Sequence, residues 1–378
     1  MSPSGAGPRL GGEGDEPASR GDERGVGRGS KRGRPGADAR KRKGVKLPRK
    51  VARDLSQPVD HLAWSVTPEG HGERIDLFLL ERLPWRSRTS IVDLLADGQV
   101  RRNGEPVTKK STKLRAGDRI EVAVPPPDEA VRHDQLALEL DPLFLHDDPE
   151  VAALNKPPGL VVHPVGRIRA NTLIQALHWT YRRGPRRVPG REPPIPRICH
   201  RLDRDTSGVI VLAKTPRARA ALQAAFEGHK TEKDYLAVVA GRVPDDRGTI
   251  ELPLGPDEDA EIDLMMTVRD DGVYARTDYE VLERFASATL VRFRLHTGRQ
   301  HQIRVHARAI GHPVLLDSLY GDGQRTWPAA SDAPLIERQA LHAQRLVLPH
   351  PTTGERLELI APLPDDMRRL IEGLRLEL

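Results

Sequence analysis

The chain reads as an α+β protein: a main domain built on a largely antiparallel mixed sheet, a small α/β module ahead of it, and a disordered basic tail. Three observations predict this architecture. Apolar runs of strand length recur through residues 141–378, helical spacing intervenes at about 216–228 and 300–310, and the first 54 residues hold almost no large apolar side chain.

Composition sets the outer limits. Hydrophobic residues make up 37% of the 378, and no apolar run approaches the ~18 residues of a membrane span. The opening residues are Gly, Ser and charge rather than the apolar core of a signal peptide. An integral membrane protein is therefore not expected. A lone cysteine, Cys199, can form neither an internal disulfide nor a cysteine zinc cage, so a reducing cytoplasm is the expected compartment.

Residues 1–54 carry 15 Lys or Arg against 7 Asp or Glu, so the whole-chain charge of +6 leaves the remainder slightly acidic. The 12 glycines before Val45 add backbone entropy that so little apolar surface cannot offset, and residues 1–60 are expected to be disordered. Within them Lys31-Arg32-Gly33-Arg34 and Arg40-Lys41-Arg42-Lys43, followed by Lys46, Arg49 and Lys50, concentrate cations without aromatics. Such a run attracts nucleic-acid phosphates without reading sequence; a merely solubilising tail has the same composition.

A folded module is expected over residues 72–125. Arg74-Ile75-Asp76 leads to Ser87-Arg88-Thr89, after which Ile91, Leu94 and Leu95 are spaced for a helix. Val100 to Arg102 reads as a strand entering an Asn103-Gly104 turn, and Arg119 to Val124 alternates as another. Short helices followed by a small sheet, with these residues in this order, resemble the S4 RNA-binding module. The resemblance implies binding of structured RNA, with Arg86, Arg88, Arg101, Arg102, Lys109 and Lys110 as phosphate or groove contacts. A solvated basic face is the plain alternative. Pro125-Pro126-Pro127 then opens an extended connector, taken as residues 126–140.

In the domain 141–378, the segments 151–156, 160–164, 208–214, 235–241 and 289–296 read as strands. The last alternates cleanly, with Thr289, Val291, Phe293 and Leu295 on one face and Arg292, Arg294 and His296 on the other. The densest chemistry is His200-Arg201-Leu202-Asp203-Arg204-Asp205-Thr206-Ser207-Gly208, just ahead of a buried strand. Carboxylates and arginines at a hydrophobic edge give an ionised group the partly desolvated setting in which it can act on a reacting centre. An Asp between arginines is, by itself, also an ordinary ion pair.

The nonapeptide resembles the signature of the RluA-type pseudouridine synthases, and the resemblance runs over about 145–366. Leu154-Asn155-Lys156-Pro157-Pro158-Gly159 looks like the family's first motif, and Lys233-Asp234-Tyr235-Leu236-Ala237 resembles its Lys-x-Tyr motif. Leu295-His296-Thr297-Gly298-Arg299-Gln300-His301-Gln302-Ile303-Arg304-Val305-His306 resembles its third signature; Gly311-His312-Pro313, Asp317, Tyr320-Gly321 and Leu341-His342-Ala343 continue in order, closed by His350-Pro351-Thr352-Thr353-Gly354 and Ala361-Pro362. Leu316 stands where the family usually has Gly before Asp317. A departure in local backbone shape is expected in that loop, which is remote in sequence from Asp203.

The resemblance implies an RNA pseudouridine synthase. The N1 glycosidic bond of a uridine breaks, the uracil turns over and rejoins the ribose through C5, with no metal, cofactor or redox step. Asp203 is then the catalytic nucleophile or base, acting on the base, on the sugar carbon, or by assisting loss of uracil. Arg201 is implied to displace the target base from the stack, as flipping requires, and Tyr235 to stack on the flipped uracil and assist proton transfer. Arg304, on a helix whose buried stripe is Ile303, Ala307 and Ile310, is implied to pair with Asp203. Arg299 is expected to contact phosphate or brace the loop; an ordinary surface arginine is its alternative.

The partner is expected to be RNA, with no membrane, and the protein a monomer. Large-subunit ribosomal RNA is the expected substrate because the S4-like module resembles members acting there. Transfer RNA stays open, as does a non-catalytic ribosome-assembly factor. A glycosidase pair of Asp203 and Asp205 is disfavoured by an aromatic content of 4%. Among His296, His301, His306 and His312, the helical pair His301 and His306 lies about 140° apart, off the single face a metal pair needs.

Overall fold

The computed structural model describes residues 54–56, 61–83, 86, 88–123, 130–165, 168–260, 262, 264–321, 323 and 336–376. The cationic runs of the expected tail and the three prolines at 125–127 lie outside them.

The first module comprises β1 (His61–Ser65), α1 (Ile75–Arg82), α2 (Arg88–Ala96), β2 (Val100–Arg102), β3 (Glu105–Pro106) and β4 (Arg119–Ala123), with strand order β1-β4-β2-β3. Ile75, Phe78 and Leu79 of α1 and Ile91 and Leu95 of α2 share a core with Val100, Ile120 and Val122. Asn103 and Gly104 both take positive φ, 53° and 86°, the mirror-image turn whose twist fits a tight hairpin. β1 lies upstream of Gly72, where the sequence places the module's start. It pairs antiparallel with β4, and its Leu62 and Trp64 are only partly buried, so its apolar alternation is faint.

Two further stretches differ from their compositional reading. Leu55, assigned to the tail, packs into the main core and donates its N–H to His178 Nδ1 at 2.8 Å, while Asp54 pairs with Arg182 at 2.9 Å. The expected connector folds from His133 into α3 (His133–Leu140). Its buried residues His133, Leu136, Ala137 and Leu140 follow the i, i+3, i+4, i+7 rule, a pattern that overrides the prolines before it.

The main domain continues with β5 (Phe144–Asp147), β6 (Val151–Lys156), α4 (Leu173–Arg182), β7 (Arg197–Ile198), β8 (Ser207–Ala213), α5 (Pro216–Glu227), β9 (Glu232–Ala240) and β10 (Arg247–Glu251). It closes with β11 (Leu254–Pro256), β12 (Met266–Val268), β13 (Arg276–Arg284), β14 (Ala288–Leu295), α6 (Gln302–Ala309), β15 (Leu341–Pro349), β16 (Arg356–Ile360) and α7 (Asp365–Leu376). The main sheet runs β10-β13-β14-β9-β15-β8-β6-β5, with β16 beside β15 and β7 beside β8; β11 and β12 form a separate hairpin. Only β15 with β8 is parallel among the described pairings, so the expected largely antiparallel sheet is observed.

Alternate residues of the strands feed opposite faces. Leu154, Ile210 and Leu212 meet α3 and α4, whereas Ala153, Val209 and Val211 meet Ala218 and Leu222 of α5. Ala237, Val291 and Phe293 pack on Ile303 and Ala307 of α6. Leu290, on the face of β14 expected to be polar, is buried against Met367, Leu370 and Leu374 of α7. Residues 160–164 are not a strand: the carbonyls of Val161 and Val162 accept the N–H groups of Leu173 and Ile174, the first of α4.

β8 meets β15 at a glycine. Gly208 has φ +114°, and a Cβ there would lie 2.1 Å from the carbonyl oxygen of Ala343. No other residue lets the two strands pair at this point, directly after the loop that carries Asp203.

Candidate active site

The loop from His200 to Thr206 is fixed from several sides. His200 Nε2 accepts the N–H of Val211 at 2.9 Å and its ring lies 4.7 Å from Phe226. Burial drives its pKa down to about 3, so it is a neutral strut with its proton on Nδ1. Lys156, fully buried, donates to the carbonyls of Pro157, Leu160 and Arg204 at 2.8, 3.0 and 2.8 Å, tying the 157–160 turn to the loop. Arg338 donates to the carbonyl of Asp205 at 3.0 Å and pairs with Asp366 of α7 at 2.7 Å.

The sequence neighbours of Asp203 are not its partners. Arg204 pairs with Asp205, and Arg201 reaches across to Gln300 Oε1 at 3.0 Å. Asp203 instead accepts from Arg304 Nη1 of α6 at 3.0 Å, the pair the family pattern implies. His301 Nε2 stands 3.8 Å from the other carboxylate oxygen. His301 sits at the head of α6 with φ +54°, and its Nδ1 lies 2.7 Å from Tyr320 Oη. Met266 N–H already donates to Tyr320, so the phenol proton is available to Nδ1, leaving Nε2–H toward Asp203.

Arg304 is only 3% exposed, and its remaining nitrogens form a two-pronged pair with Asp317 at 2.6 and 2.7 Å. Burial works against its charge, but Asp317 and Asp203 outweigh that and hold its pKa above the ordinary arginine value. Asp317 also accepts the N–H groups of Leu319 and Tyr320. The turn requires φ +61° at Leu316, so the glycine-type backbone shape is kept despite the leucine. The loop remote in sequence is thus the base of the site, a role that residue spacing along the chain could not reveal.

Tyr235 points from β9 toward the same place. Burial first, and then the charge of Asp203, raises its pKa, so its phenol is neutral. Its hydroxyl has no protein hydrogen-bond partner among the described residues. Arg299 is exposed and its Nε donates to the carbonyl of Tyr274 at 3.0 Å, bracing the turn before α6. Arg201, Asp203, Tyr235, Arg299 and Arg304 are therefore drawn together from the 200–206 loop, β9 and the start of α6. Arg86, Arg88, Arg101, Arg102 and Lys109 lie on the separate four-stranded module. There Arg102 is held by Asp118 at 2.8 Å, Arg88 leans on Asp76 at 3.5 Å, Arg86 donates to Ser90 Oγ, and Arg101 and Lys109 face solvent.

The histidines considered as metal ligands have separate partners: His296 Asp278, His306 Thr277 and the carbonyl of Leu252, His312 the carbonyl of Ala240. Burial pushes the Cys199 thiol up to about 11, which suits packing rather than nucleophilic attack. Among the described residues no helix is long and apolar enough to cross a membrane.

Comparison with known proteins places these features in context. Residues 150–309 match the family model described as RNA pseudouridylate synthase, and residues 73–120 match the S4 domain. The chain is 41% identical to the "Uncharacterized RNA pseudouridine synthase YlyB" of Bacillus subtilis, over 82% of this chain and 97% of that protein. It is 37% identical to the "Ribosomal large subunit pseudouridine synthase D" of Vibrio parahaemolyticus, over 80% of this chain and 91% of that one. Among solved structures, the human RNA pseudouridylate synthase domain containing 4 matches with a TM-score of 0.50 and 26% identity, covering 64% of this chain and 97% of that chain.

Proposed function

This chain belongs to the RNA pseudouridine synthases, and from that premise we propose that it isomerises specific uridines of large-subunit ribosomal RNA, with Asp203 as the catalytic carboxylate. The substrate reading rests on relatives named as large-subunit enzymes at 37% identity and on the S4 domain. The carboxylate reading rests on one observation: Asp203 is open to solvent on one side and held by a buried, doubly paired arginine on the other.

In the isomerisation the N1–C1′ bond breaks, the C5–C1′ bond forms, a proton leaves C5 and N1 gains one. Attack on the base, attack on the sugar carbon and assisted loss of uracil all start from an ionised Asp203 facing the flipped nucleoside. Arg304 keeps it ionised and aimed, because a charge-assisted bond to a buried guanidinium fixes both charge and orientation. The Tyr235 ring offers a stacking face for uracil, and its neutral hydroxyl can hand a proton on. Arg201, exposed and bonded to Gln300, takes the place the base vacates. The module arginines and the cationic tail add phosphate contacts. The protein acts as a cytoplasmic monomer in this reading.

Carbodiimide primer-extension mapping of large-subunit ribosomal RNA and transfer RNA treated with the protein tests the substrate. Stops confined to the ribosomal RNA are expected. Stops only in transfer RNA overturn the substrate, and RNA binding without stops on either overturns the activity.

A further inference from the structure

Most charged side chains around β9 and β14 are neutralised within the protein. Asp234 alone receives Arg294 at 2.7 Å and Arg345 at 2.9 Å, and Arg292 pairs with Glu280. Lys233, the residue between Glu232 and Asp234 on the opposite face of β9, is the exception. Half-buried, it donates a long 3.3 Å bond to the carbonyl of Thr297 and has no carboxylate partner among the described residues. Beyond it stand Gly298, whose Cβ position is 3.8 Å from Lys233 Nζ, and the exposed Arg299, which has no carboxylate partner among the described residues. Two cations side by side, one of them largely removed from water, are costly unless an anion joins them.

We infer that Lys233 and Arg299 form a subsite for a backbone phosphate of the RNA strand, next to the nucleotide flipped onto Tyr235. This rests on the RNA reading of the site given above. Alternation puts Lys233 and Tyr235 on one face of β9 at a spacing of about 6.8 Å, comparable to the distance between a base and its own phosphate. Gly298 leaves the approach to Nζ clear of a side chain. Burial, and then Arg299, lower the Lys233 pKa to about 8, the mark of an ammonium short of counter-charge. Bracing Tyr274 uses only Nε of Arg299, and its other two nitrogens have no partner among the described residues, so both cations have donors left for phosphate oxygens.

Lys233→Met, Lys233→Arg and Arg299→Met are compared with the wild type for equilibrium binding of a large-subunit ribosomal RNA transcript across a salt series, with thermal unfolding as a fold control. Methionine at either position reduces the slope of log affinity against log salt by about 0.7–1, because one phosphate contact is lost, while arginine at 233 keeps the slope. In single-turnover modification, Lys233→Met raises the enzyme concentration needed for half the maximal rate, and Lys233→Arg restores it. Unchanged slopes in both methionine variants, or an arginine variant as defective as the methionine one, overturn the subsite and leave Lys233 a packing residue. If the wild type binds this RNA and forms no pseudouridine in it, the substrate reading has failed, and the salt slopes still decide the subsite.

Discussion

Arg304 donates to Asp203 at 3.0 Å across 101 positions of sequence, and it is able to do so because Asp317 holds its other two nitrogens. Two loops and one helix thereby converge on a single guanidinium. The carboxylate assigned to catalysis is the exposed end of a chain of charge whose buried end is Asp317.

That arrangement predicts graded losses. Asp317→Asn keeps shape but removes the charge that balances Arg304, and should lower unfolding free energy by about 3 kcal/mol. Arg304→Lys can reach one carboxylate at a time, so the single-turnover rate should fall about 100-fold with a smaller loss of stability. Urea unfolding and rapid-quench kinetics on the same preparations separate the two effects. A wild-type rate in Arg304→Lys would show that the pair does not orient Asp203.

Leu316 sets strain against burial. Its left-handed φ of +61° costs ~1–2 kcal/mol, but its side chain is 1% exposed in the cluster with α7. Removing a buried leucine side chain costs more, roughly 2–5 kcal/mol, so Leu316→Gly should be destabilising by about 1–3 kcal/mol despite the relieved backbone. A more stable glycine variant in thermal melts would mean that strain dominates.

Acid should unfold this protein early. Burial lowers His200 to about 3 and His342 to about 4, against about 6.5 in an unfolded chain. Between those values the unfolded chain binds the extra proton. The stability these rings contribute is complete above about pH 6.5 and is lost as pH falls toward 4 and then 3, by up to about 1.4 kcal/mol per pH unit for each ring. His133, His178 and His306, also lowered chiefly by burial, add in the same sense. Urea midpoints should drop between pH 7 and pH 5.5, and less steeply in His342→Gln; a flat profile would refute the assignment of neutral rings.

Deleting residues 1–53 removes the cationic runs and spares the anchor at Leu55. RNA affinity and the steepness of its salt dependence should both fall, while the maximal single-turnover rate stays within about twofold. An unchanged salt slope would reduce the tail to a solubilising segment.

Much of the architecture was legible because the signals were local. The alternation at 289–295, the Asn103-Gly104 turn and the apolar spacing on α6 each appear in the structure as elements, as do the strands at β6, β8 and β9. Sequence and structure differ where tertiary partners decide. The segment 160–164 spends its carbonyls on α4, β1 is too polar to announce itself, and one leucine at position 55 anchors a stretch of tail composition. At the site, motif resemblance pointed to Asp203, Tyr235 and Arg304, which the fold brings near one another, yet gave no sign that Asp317 underlies Arg304 or that Arg204 turns away to Asp205. Partner choice between charged residues depends on three-dimensional distance, which residue order alone does not encode.

The proposed chemistry rests on Asp203. Asp203→Asn keeps the size and one acceptor oxygen but removes the negative charge. The direct measurement is tritium release from RNA labelled at uracil C5, under single-turnover conditions, with RNA affinity measured in parallel. Wild-type affinity and no release above background are expected for Asp203→Asn. Release by that variant at a rate near the wild type's would show that Asp203 is not the catalytic carboxylate.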